Sequence, residues 1–189
     1  MKRICVYCGS SPGERPDYRD AAVALAREAV ARDLAIVYGG ASKGIMGVLA
    51  DAALDAGGTV LGIMPHSLVR KEIAHQGLSE LRVTETMHER KAMMAELADG
   101  FVALPGGFGT LEEIVEALTW GQLRFHDKPC GLLNVAGYYD RLGRFLEHAE
   151  AEGFVRAAHR RMLLIDDDPS SLLDAFARYQ PPTVAKWRD

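Results

Sequence analysis

The chain has 189 residues, 48% of them hydrophobic and 25% charged, a composition that excludes disordered, collagenous and low-complexity classes. At about 100–200 residues per domain it is expected to form one domain, residues 1–180, with an irregular tail at 181–189 that opens on two adjacent prolines. The net charge of −4, from 22 basic and 26 acidic residues, argues against a nucleic-acid polymer as partner, because phosphate neutralisation needs a basic face.

No apolar run approaches the ~18 residues of a membrane span. The run after Met1-Lys2-Arg3 is broken by Gly9-Ser10-Ser11-Pro12 before it reaches signal-peptide length. Three cysteines are too few, and odd in number, for a disulfide framework. These features point to a cytoplasmic protein with no membrane partner.

Short β-rich runs recur along the chain at Arg3–Tyr7, Leu34–Tyr38, Val60–Met64, Leu81–Thr84, Phe101–Leu104, Cys130–Asn134 and Met162–Ile165. Several are apolar at nearly every position, as strands covered on both faces are. Helix-period segments lie between them at Tyr18–Arg32, Gly44–Ala56, Met87–Leu97, Leu111–Leu123, Tyr139–Glu152 and Ser170–Tyr179. The alternation predicts an α/β fold: a three-layer, Rossmann-like parallel sheet with helices on both faces.

Ligands of such a sheet sit outside the carboxyl ends of the strands. Three glycine-rich turns fall there: Gly9-Ser10-Ser11, Gly39-Gly40 and Gly106-Gly107-Phe108-Gly109-Thr110. The last is the strongest feature. A buried strand ends, glycines let backbone N–H groups approach an anion closely, and a helix start adds partial positive charge. Thr110-x-x-Glu113 is also expected to act as a capping box, which places Glu113 at the third helical position, on the face away from Leu111, Ile114 and Val115. The loop has neither Walker A nor dinucleotide spacing.

Thr86-Met87-His88-Glu89-Arg90-Lys91 supplies a second capping box, Thr86 with Glu89, and puts two cations near a helix start on the same edge. There they oppose the helix dipole unless they clamp an anion. Glu72 falls in a loop between strands. Cys5-x-x-Cys8 runs along a strand, where positions i and i+3 face opposite ways, so it is not expected to be a redox pair. The six histidines show no metal-ligand spacing, and Asp166-Asp167-Asp168 is read as a strand end and helix cap. Neither a metal nor another cofactor is expected.

These motifs resemble the Lonely Guy family, the cytokinin riboside 5′-monophosphate phosphoribohydrolases, often mislabelled as possible lysine decarboxylases. Pro-Gly-Gly-x-Gly-Thr-x-x-Glu is complete from Pro105 to Glu113, and Met-His-x-Arg-Lys from Met87 to Lys91. Thr119-Trp120-x-Gln122-Leu123 and His126-Asp127-Lys128-Pro129 continue the match, which spans Ile4 to Leu173. The resemblance implies substrate contacts at Glu72, Arg90, Lys91, Gly106, Gly107, Phe108, Gly109, Thr110, Leu111, Glu112, Glu113 and Thr119, with Arg90 and Glu113 catalytic. It implies N-glycosidic hydrolysis of an adenine-type nucleoside 5′-monophosphate, and a homodimer. One departure is visible: Ala41 stands where the family usually has a third glycine. The alternative is a nucleotide- or cofactor-binding module without chemistry, and Arg90 with Glu113 separates the two, since a carrier needs neither. A pyridoxal phosphate decarboxylase is a further rival, but none of Lys43, Lys71, Lys91 and Lys128 has a recognisable Schiff-base context.

Overall fold

The computed structural model of the chain describes residues 1–69 and 73–184. Seven strands form one parallel sheet in the order β4-β3-β2-β1-β5-β6-β7. They are β1 (Arg3–Tyr7), β2 (Ala35–Tyr38), β3 (Val60–Pro65), β4 (Glu80–Thr84), β5 (Phe101–Ala103), β6 (Cys130–Leu133) and β7 (Leu163–Asp166). All-parallel pairing buries both faces, and the strand alternation shows how. Ile4, Val6 and Cys8 join one core cluster with α1 (Pro16–Ala31), α2 (Gly44–Asp55) and α8 (Pro169–Arg178). Cys5 and Tyr7 join another with α4 (Met87–Leu97) and α5 (Phe108–Gln122), against which α6 (Asp140–Ala151) packs through Leu142 and Leu146. The three expected layers are present.

The chain walks outward from β1 through β2 and β3 to β4. Helix α4 then carries it back across the sheet to β5, on the other side of β1. The winding direction therefore reverses between β1 and β5, and the crevice at their carboxyl ends is where such a sheet accepts ligands.

Element boundaries mostly agree with the periodicity within two residues. The short helices α3 (His66–Val69) and α7 (Ala157–Arg160) and a 3-10 turn at Val135–Gly137 were not anticipated, being too short for a helical period. The main correction concerns α5. It begins at Phe108, three residues earlier than expected, with Gly107 as N-cap and no side-chain cap. Thr110 is thus the third helical residue, 3% exposed, and Thr110-x-x-Glu113 is not a capping box. Gly109 lies inside the helix, so two glycines rather than three form the turn. Packing decides this. A side chain at 106 would collide with the Thr110 hydroxyl, so Gly106 lets the first helical turn fold down onto the strand end. The other two caps form as read. Thr86 accepts from the Glu89 N–H at 3.1 Å, and Asp168 accepts from the Ser171 N–H at 2.7 Å. The last helix ends at Arg178, ahead of both prolines; 181–184 have no regular structure, and 185–189 lie outside the described residues.

Cys5 and Cys8 face opposite sides of the sheet, and all three thiols are free and buried. Burial pushes each well above the ordinary thiol range. The native protein should therefore resist a thiol reagent at pH 8, and all three cysteines should react once denaturant is added. Fast labelling of the native protein would contradict the strand placement.

Candidate active site

Three glycine turns converge at the point where the sheet reverses. A cavity of about 240 Å³ lies between them, bounded by Gly9 and Ser10 after β1, Gly39 after β2, and Gly107 to Thr110 at the start of α5. Arg90, Glu113 and Met46 close its other sides.

Arg90 reaches the cavity because the cap of α4 sets its register. Thr86 takes the Glu89 N–H, and the Glu89 carboxylate in turn accepts from the Glu85 N–H at 2.9 Å. One turn on, Arg90 points at the sheet and is only 9% exposed. Its Nε donates to the Ile63 carbonyl at 3.1 Å, and Nη2 lies 3.2 Å from Glu113 Oε1. The guanidinium crosses directly over Gly39, where any Cβ would strike Nη2. Glycine is required there for close approach.

Glu113 sits on the second turn of α5, its side chain 10% exposed. It faces the cavity, not solvent. Burial pushes its carboxyl above the ordinary glutamate range, against the pull of Arg90 and Lys91. The pair is thus a carboxylate held against its desolvation cost chiefly by Arg90, with Lys91 adding to it.

The two helix N-termini bordering the cavity differ. Gly9 supplies its carbonyl to the N–H groups of Ile45 and Met46, at 3.1 and 3.4 Å, so α2 spends its first donors internally. Helix α5 has a glycine cap and no side chain over its end. The first N–H groups of a helix have no partner within it, so α5 turns free donors and positive dipole toward the cavity. An anion seated there would leave its attached group beside Glu113 and Arg90.

Other expected site residues are distributed differently. Gly106 lines an adjoining pocket with Tyr18 and Tyr138. Phe108, the first residue of α5, is 93% exposed beside the cavity mouth. Leu111 packs against the core behind α5. Lys91 turns away from Arg90 and pairs with Glu112 and, at 2.9 Å, with Glu116 on α5. Burial works against its charge, but these carboxylates outweigh it and hold Lys91 above its ordinary value. Thr119 donates to the Val115 carbonyl at 2.7 Å and borders an apolar groove between α5 and α6. Glu72 lies outside the described residues. Its neighbour Ile73 gives its carbonyl to the Ser42 N–H at 2.9 Å, beside Ala41. Among the described residues no group of three or more His, Cys, Asp or Glu is placed to hold a metal ion, and no lysine borders the cavity. Gly39 is expected from sequence only as part of a glycine turn at the ligand edge, not as the space beneath Arg90, and Tyr138 carries no sequence signal of a site residue. The roof over Gly39 is set by a residue 51 positions away, which local spacing does not reveal.

A family model described as "Possible lysine decarboxylase" matches residues 46–176. The chain is 51% identical over 181 residues to a probable cytokinin riboside 5′-monophosphate phosphoribohydrolase, LOGL9, of Oryza sativa subsp. japonica, covering 96% of this chain and 80% of that protein. It is 48% identical to the cytokinin riboside 5′-monophosphate phosphoribohydrolase LOG2 of Arabidopsis thaliana, covering 96% and 85%. Among solved structures, the molybdenum cofactor carrier protein of Chlamydomonas reinhardtii shares the fold, with a TM-score of 0.71 at 22% identity over 94% of this chain and 97% of that one. No helix among the described residues is long and apolar enough to cross a membrane. With both signature motifs intact around one cavity and half of its residues shared with these relatives, the chain belongs to the Lonely Guy family of phosphoribohydrolases.

Proposed function

We propose that the chain hydrolyses the N-glycosidic bond of adenine-type nucleoside 5′-monophosphates, releasing the free base and ribose 5-phosphate. The observation that carries this reading is the buried Arg90–Glu113 pair in the same cavity as the uncapped start of α5. The 5′-phosphate takes the N–H groups of Gly107 to Thr110. The sugar then lies along the second turn of α5, with C1′ toward Glu113. As the C1′–N bond breaks, positive charge develops at the sugar, and a preorganised carboxylate stabilises it. Water adds to C1′, and one of its protons ends on the released base. Arg90 keeps Glu113 ionised in a site whose burial favours the neutral acid. The adenine preference rests on the names of the relatives, and the part assigned to Glu72, a grip on the ribose hydroxyls, rests on the family resemblance alone. A homodimer belongs to the same reading. The groove between α5 and α6, with the exposed Val115 in its lining, supplies an apolar face to support it.

The first test is a substrate panel resolved by chromatography. AMP and isopentenyl-AMP should give base and ribose 5-phosphate, while adenosine reacts far more slowly, because losing the phosphate removes binding energy that positions the sugar. Equal turnover of nucleoside and monophosphate would refute the phosphate seat.

Glu113→Gln keeps size and hydrogen bonding but removes the charge. It should lower kcat by about 10²-fold or more, the scale of a preorganised electrostatic group. Arg90→Ala should also lower it, and the double variant should lose less than the product of the single losses, since the two act as a unit. Independent, multiplying effects would separate them.

The pH profile gives a third check. Activity needs ionised Glu113, so it is lost as pH falls through a pKa raised above the ordinary 4.5. In any residual activity of Arg90→Ala, that acid limb should move further up, because Arg90 is the largest influence holding the value down. A limb that stays in place belongs to the substrate phosphate instead.

A further inference from the structure

The Pro105-Gly106-Gly107 turn has almost no side chain with which to hold its own shape. Its carbonyls are nevertheless engaged one by one. The Leu104 carbonyl accepts from the Tyr139 hydroxyl at 2.7 Å. The Pro105 carbonyl accepts from the Gly9 N–H at 3.2 Å. The Gly106 carbonyl accepts from the Tyr138 hydroxyl at 2.7 Å. The Gly107 carbonyl accepts from the Leu111 N–H at 3.1 Å. With each C=O turned to a donor of the protein, the peptide planes are fixed, and the N–H groups that follow are fixed with them.

Two of these four anchors come from adjacent tyrosines beyond β6, and that loop is itself heavily constrained. Ala136 and Gly137 both take positive φ, +51° and +73°. A side chain at 137 would meet the Asp140 carboxylate. The Asn134 side chain accepts from the Tyr139 N–H at 2.7 Å and donates to Asp140 at 2.8 Å. The reversal sends Tyr139 into the core, 2% exposed, and leaves Tyr138 on the rim, 42% exposed. The Tyr138 ring stands edge-on to Tyr18 at 5.6 Å and to Tyr139 at 5.0 Å. An aromatic ring is thus kept at the surface with its hydroxyl aimed at a glycine carbonyl.

We propose that Tyr138 is a positioning residue for the phosphate seat: its hydroxyl locks the Gly106–Gly107 peptide so that the N–H groups at the start of α5 point into the cavity. The proposal rests on the reading of that cavity as a phosphate site. Tyr139 has a different part. It satisfies a buried strand-end carbonyl and so serves the fold.

The test compares Tyr138→Phe and Tyr139→Phe with the unchanged protein. Each removes one hydroxyl and keeps the ring. Calorimetric affinity for ribose 5-phosphate is measured alongside kcat and KM for AMP and the melting temperature. Tyr138→Phe should weaken ribose 5-phosphate binding about fivefold, the fold-change of one ordinary hydrogen bond. KM for AMP should rise by a similar factor, while kcat changes less than twofold and the melting temperature stays level. Tyr139→Phe should lower the melting temperature and leave affinity nearly intact. Unchanged affinity and KM in Tyr138→Phe would overturn the proposal, as would a loss of stability without a loss of affinity. A protein that binds ribose 5-phosphate in a Tyr138-dependent way but does not cleave AMP would sink the proposed reaction and keep the tether. A protein that binds no ribose 5-phosphate would overturn both the seat and its tether.

Discussion

The site depends on one buried ion pair laid across the reversal point of the sheet. Arg90 comes from the helix that carries the chain back over the sheet, and Glu113 from the helix after the strand it returns to. Removing two charges from water costs several kcal/mol per ion, and their attraction offsets this only with good geometry and further hydrogen bonds. Arg90 has such a bond to the Ile63 carbonyl, and its plane fits only because position 39 has no side chain. Glu113 remains the weaker partner. Its proton is held more tightly in the folded chain than in the unfolded one. Its contribution to stability therefore falls as pH rises from the ordinary glutamate value through the raised native one. A carboxylate kept at a net cost to the fold is the kind of group that an active site retains.

Lys91 shows how one helical step changes a role. It follows Arg90 directly, yet about 100° of rotation aims it at α5 instead of the cavity. There it bridges Glu112 and Glu116 and fastens α4 to α5. The basic pair that sequence spacing offered as one clamp divides into a cavity residue and a brace. The brace still bears on the site, because it fixes the separation of the helices that carry Arg90 and Glu113.

The layers and the parallel sheet were legible because burial on both faces writes itself into most of the strands as a nearly unbroken apolar run, and helix periods separate the runs; the strand order came only from the structure. The edge of the site was legible for a related reason: glycine is needed wherever backbone must approach a ligand or another chain segment. What could not be read was packing, once within a single turn and otherwise across the fold. The start of α5 depends on how closely Thr110 packs onto Gly106, and Thr110 looked like a cap because hydroxyl residues favour that position in isolated helices. Gly39 needed Arg90 in view, and Tyr138 needed the carbonyl of Gly106. These last two pairings join residues more than thirty positions apart, beyond the reach of any local period.

Gly9 is bound at both ends of its residue, through its N–H to Pro105 and its carbonyl to the start of α2. Gly44 tightens this contact further, since its φ of +57° and a backbone approach to Ser10 leave no room for a side chain. The turn after the first strand is therefore a closed joint between β1, α2 and the loop before α5. Parallel-sheet proteins that take dinucleotides use that same turn to receive a pyrophosphate. Here the Gly9 N–H is committed to Pro105, and the Ile45 and Met46 N–H groups to Gly9, before any ligand arrives. What another parallel sheet leaves open as a ligand cradle is here a structural rivet, so the first strand, α2 and the loop before α5 are obliged to move as one piece.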